Sequence, residues 1–71
     1  MLLTNTNKDK RIMGIGTGRS LKALRVSTGV KQTDLALELR ISSSYLSLIE
    51  AEKRRLTEDM ALRAMTFLLG Q

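Results

Sequence analysis

The feature that most constrains this chain is a pair of short apolar periods, 32 to 39 and 43 to 51, set about three residues apart. In the first, Leu35, Ala36 and Leu39 recur at i, i+1 and i+4, a spacing that gathers side chains on one face of a helix. In the second, Leu46 and Ile49, with Tyr45 beside them, do the same. Ser42 stands immediately before it, where a hydroxyl oxygen can accept a hydrogen bond from the first turn. The spacing therefore predicts two short helices folded on one another across a tight joint. Small polar side chains fill the second: Ser43, Ser44 and Ser47.

The flanking sequence predicts two more helices. Leu21, Leu24 and Thr28 share a face over residues 18 to 28, with Thr17 placed to cap the start and Gly29 where a left-handed end is expected. After the charged stretch Glu52-Lys53-Arg54-Arg55, Thr57 can cap a helix over 58 to 69, and Glu58 and Asp59 suit its positive end. Met60, Ala61, Ala64, Met65, Phe67, Leu68 and Leu69 make it the most apolar segment. It is apolar on more than one face, which predicts that it also forms a dimer interface. With no proline, and few β-branched residues in these segments, nothing argues for strands. The fold class expected is all-α, a compact bundle of four to five helices.

Length allows one domain, since 71 residues bury only about 60% of the surface the unfolded chain exposes. Residues 1–16 are polar and basic (Lys8, Lys10, Arg11) without a helical period and read as a flexible arm, leaving 17–71 as the folded domain. The chain has no cysteine and no histidine, which excludes disulfides and the common zinc sites and removes the usual general bases and nucleophiles. No catalytic residue, metal or cofactor is expected. Twelve Lys and Arg against seven Asp and Glu leave a net charge of +5, which points to a polyanionic partner. Nucleic acid is favoured over a membrane surface, because no apolar run approaches the roughly 20 residues of a spanning helix. Met1-Leu2-Leu3 is too short an apolar block for a signal peptide, so a cytoplasmic location is expected. The run Gly14-Ile15-Gly16-Thr17-Gly18-Arg19 is not read as a nucleotide-binding loop, since no strand precedes it and the Lys-Ser/Thr pair is lacking.

Two short helices with a tight joint are the arrangement by which DNA readers present a helix to the major groove. The stretch QTDLALELRISSSYLSLIE, from Gln32 to Glu50, resembles the helix-turn-helix of the Cro and lambda-repressor type, the XRE family. The likeness covers about residues 18 to 70. Ala36 matches the small residue at the helix crossing, and Leu35, Leu39, Ile41, Leu46 and Ile49 match the core between the helices. Arg25 and Glu50 match a family pair that ties the recognition helix to the scaffold, a structural role. Two positions depart from the pattern. Arg40 stands where the turn usually has glycine in a left-handed conformation, so a slightly reshaped turn is expected. Lys31 stands where Ser or Thr usually caps the helix, and a DNA phosphate would supply the missing anion there.

The resemblance implies double-stranded DNA as the partner. By position, Ser43, Ser44, Ser47 and Leu48 would face the base edges, with Leu48 able to meet thymine methyl groups. Lys31, Gln32, Tyr45, Lys53 and Arg54 would contact phosphates and set the docking register. It further implies a sequence-specific regulator, a repressor acting as a homodimer on a palindromic operator with half-sites about one helical turn apart, and no small-molecule ligand. A different class stays open: an antitoxin-like or other protein-interaction module, with helix 58–69 on a partner chain and DNA binding secondary. A serine cluster at a helix start can equally be capping and solvation, and a run such as Lys53-Arg54-Arg55 is usually a solvated face. For residues 1–16, simple disorder is favoured over a DNA-binding role.

Overall fold

A computed structural model describes residues 17–71, and the expectations for residues 1–16 lie outside the described residues. Four helices follow one another: α1 Gly18–Ser27, α2 Gln32–Leu39, α3 Ser43–Glu50 and α4 Glu58–Leu69. No strand occurs among the described residues, so the all-α expectation holds with four helices. The helix ends fall within one residue of the sequence reading, α1 and α3 each closing one residue early.

Each helix start has a local cause. Thr17, Ser42 and Thr57 accept from the backbone N–H groups of Ser20, Tyr45 and Met60 at 3.0–3.2 Å, satisfying donors a helix leaves orphaned. Lys31, at the start of α2, makes no such side-chain bond. The ends of α1, α2 and α3 share one geometry. Gly29, Arg40 and Glu52 all take a positive φ, of 76°, 60° and 64°. Each is followed by a residue whose N–H reaches back to a carbonyl of the last helical turn: Val30 to Arg25, Ile41 to Ala36, Lys53 to Leu48, at 2.8–3.1 Å. This is the Schellman closure, used three times in succession. Arg40 therefore adopts the left-handed conformation itself, with ψ 42°, and the turn keeps the shape a glycine would give it instead of being reshaped. The strain, about 1–2 kcal/mol for a side-chain-bearing residue, is borne by Arg40.

The closed helices pack around one core of Leu21, Leu35, Ala36, Leu39, Leu46, Ile49, Ala64 and Leu68. Leu21, Leu35, Leu46, Ile49 and Leu68 are the largest of the fully buried side chains, each worth about 1.5–3 kcal/mol relative to exposure. α2 packs on α3 and α4, and α1 on the same two helices, so α3 is held from behind by both. At Gly18 two of these helices meet closely. A Cβ there would overlap the carbonyl oxygen of Ile49 and lie 2.7 Å from its carbon, so only glycine lets the start of α1 meet the end of α3. Gly18, which the sequence reading placed only as the first residue of α1, is a packing residue.

Candidate nucleic-acid interface

α3 has a buried back and an open front. Leu46, Ile49 and Glu50 are buried against the scaffold. Ser44, Ser47 and Leu48 are exposed, and Ser43 is half-buried. Spacings of three and four residues put these four side chains on one stripe of the helix. Tyr45 flanks the stripe, half-buried and packed on the core cluster.

The back of α3 is fixed by a charged junction of three elements. Glu50 has a side chain only 3% exposed and faces Arg25, itself 11% exposed, at the end of α1. Arg25 donates twice, through Nε to Oε2 at 2.7 Å and through Nη2 to Oε1 at 3.1 Å. Its third nitrogen, Nη1, donates to the Val30 carbonyl at 2.9 Å, which holds the guanidinium to the α1–α2 loop as well. The Gln32 side-chain amide donates to Glu50 Oε1 at 3.0 Å, adding the first residue of α2. Among the described residues no buried side-chain nitrogen or oxygen lacks a partner. A buried ion pair is tolerable when its remaining hydrogen-bonding capacity is filled, and the requirement is met here. The junction fixes the pitch of α3 relative to α1 and α2.

Gln32 turns inward in this arrangement, whereas sequence position pointed it at phosphate. Its spacing from Glu50 contained no sign of the contact, because the two are neighbours only across the fold. Lys31, beside it, is exposed at the uncapped start of α2. Lys53 and Arg54 are also exposed, in the loop that leaves α3, where both backbone N–H groups donate to the Leu48 carbonyl. Glu52, in the same loop, has a use the sequence did not reveal. Its carboxylate accepts the Arg19 N–H at 3.2 Å, placing an anion at the positive end of α1. Of the acidic residues in 17–71, Glu50 and Glu52 are thus engaged within the fold. Asp34, Glu38, Glu58 and Asp59 lie on α2 and α4, and none lies on the outer stripe of α3. No group of acidic residues that could hold a metal ion occurs among the described residues.

An outward stripe of hydroxyls with the exposed cations Lys31, Lys53 and Arg54 toward the Glu50 end of α3 has the chemistry of a duplex reader. The hydroxyls can donate to or accept from base edges, and the cations can meet backbone phosphates. No helix of the described residues is long and apolar enough to cross a membrane. No curated protein and no solved structure matches the chain. A helix-turn-helix family model matches residues 21–68, which runs from the first buried leucine of α1 to the last of α4. The chain belongs to the helix-turn-helix family of Cro/C1 type, the XRE family of DNA-binding regulators.

Proposed function

We propose that this protein is a sequence-specific, double-stranded-DNA-binding repressor of transcription that acts as a homodimer on a palindromic operator. The observation that carries the reading is the two-sided construction of α3, with Glu50 locked behind it and Ser44, Ser47 and Leu48 open in front. A helix immobilised from behind can present side chains to a groove in a fixed register, as specific recognition requires. Ser43, Ser44, Ser47 and Leu48 read bases. Lys31, Tyr45, Lys53 and Arg54 hold phosphates, and Gln32 contributes its backbone N–H at the start of α2 while its side chain serves the junction.

Exposed leucines on α4 support the dimeric part. Leu62 is 61% and Leu69 65% exposed, and seven residues separate them, two helical turns along one side. In an antiparallel pair of α4 helices Leu62 of each copy would meet Leu69 of the other, a self-complementary match suited to a two-fold axis. The same leucines support a second reading, an antitoxin-like protein that covers them with a different chain. Selection of bound duplexes from a random DNA pool at physiological salt tests the first reading. Enrichment of a palindrome with half-sites about 10 base pairs apart is expected. A folded protein that enriches no motif would transfer the weight to the partner-binding reading.

A further inference from the structure

Three helices close on a left-handed residue, and the three residues differ in what sustains them. Gly29 needs nothing, because glycine takes a positive φ without penalty. Glu52 is strained, but its carboxylate accepts the Arg19 N–H at 3.2 Å. Arg40 is strained as well, at φ 60° and ψ 42°. Among the described residues its guanidinium makes neither a hydrogen bond nor an ion pair, and the side chain is exposed. Among the described residues, then, the arginine side chain at this position brings a penalty and no compensating contact. Strain of this kind persists where function uses it.

The place of Arg40 indicates that use. It lies three residues before Ser43, so the two Cα atoms are at most about 11 Å apart. It belongs to the joint that leads into α3, at the end of α3 whose serines form the outward stripe. Arginine recognises phosphate through a planar fork of donors, and no hydrogen-bond partner among the described residues competes for that fork. We infer that Arg40 is a phosphate-contacting residue for duplex DNA, a contact made at the expense of fold stability at the one turn position where glycine would be the stabler choice. The inference rests on the DNA-binding reading above, and it adds a contact at a position where the family pattern has glycine and no side chain at all.

Arg40→Gly separates the two effects because they have opposite signs. The probe is a fluorescein-labelled 24-base-pair duplex of random sequence, since phosphate contacts do not depend on sequence. Anisotropy is followed from 50 to 300 mM NaCl, alongside thermal unfolding. Arg40→Gly is expected to raise Tm by about 4–8 °C. It is expected to flatten the log–log salt dependence by about 0.9 and to weaken binding about eightfold at 0.1 M salt, the release attributable to one phosphate. Arg40→Asn, which tolerates the left-handed region without a charge, should lose the same affinity, and Arg40→Lys should keep the slope. Unchanged affinity and slope in Arg40→Gly, with wild-type protein binding normally, would overturn the assignment of Arg40 alone. Wild-type protein that binds duplex without salt dependence, or not at all, would overturn the DNA-binding reading together with it.

Discussion

Replacing Glu50 by glutamine removes one charge and almost no volume from the junction of α1, α2 and α3. The Arg25 guanidinium stays where it is, 11% exposed, with its fork aimed at a group that is now neutral and can accept at only one of two positions. Breaking a buried pair from one side costs about 3–5 kcal/mol, because the surviving charge is left uncompensated. Taken over 71 residues the total is roughly 4–11 kcal/mol, so Glu50→Gln should remove about a quarter of the stability or more. At about 4–8 °C per kcal/mol, Tm should fall by at least about 12 °C. Removing both charges has a different consequence. Arg25→Met with Glu50→Met fills the space with apolar atoms and should stay within about 1 kcal/mol of wild type, Gln32 being half-buried and free to turn its amide to water. Urea unfolding followed by circular dichroism at 222 nm distinguishes these outcomes, and repeating it in 0.5 M NaCl tests burial, since a shielded pair is little screened. A loss below about 1 kcal/mol for Glu50→Gln, or a double variant as unstable as the single one, would refute the view of the junction as a desolvated charge pair.

Gly18→Ala should destabilise the domain by about 1–3 kcal/mol although alanine is the better helix former, because the Cβ meets the Ile49 carbonyl; an unchanged urea midpoint would contradict that packing. Ser44→Ala and Ser47→Ala, both at exposed positions, should leave stability within about 0.5 kcal/mol while altering the motif selected from a random pool. Lys53→Ala should instead weaken binding to all duplexes alike and lower the salt slope by about 1, so a change confined to one sequence would place Lys53 on bases. Lys31→Ser should gain about 0.5–1 kcal/mol by capping α2 and lose affinity for duplex, and tighter binding by this variant would end the idea that a phosphate meets Lys31. Leu62→Glu should give a folded monomer in sedimentation, with an unfolding midpoint that no longer rises with protein concentration; a dimer that survives the change would move the two-fold contact off α4.

What the sequence disclosed and what it hid divide along sequence distance. Thr17, Ser42 and Thr57 act on N–H groups three residues away, so the helix starts could be placed from neighbours alone. The apolar period of α2 and α3 likewise identified Leu35, Leu39, Leu46 and Ile49 as core, since periodicity is a property of one segment. Gly18 against Ile49, Glu52 against Arg19 and Gln32 against Glu50 connect residues 31, 33 and 18 positions apart, and no local pattern announces them. Arg40 lies between these cases. Its left-handed position followed from the helix-turn-helix resemblance, but whether the chain would bend the turn or strain the residue depended on the Ile41 N–H, whose bond to the Ala36 carbonyl fixes the closure.

The outer stripe of α3 contributes almost nothing to holding the molecule together. Ser44 and Ser47 make no side-chain hydrogen bond among the described residues, and Leu48 is 39% exposed. Substitution at these positions therefore meets little resistance from folding, while the junction behind them keeps the helix in place. On the proposed reading, in which these side chains meet base edges, such a chain acquires a new address on DNA through one or two codon changes without passing through an unfolded ancestor. The same reading makes it retargetable in the laboratory by randomising Ser44, Ser47 and Leu48 on an otherwise untouched frame.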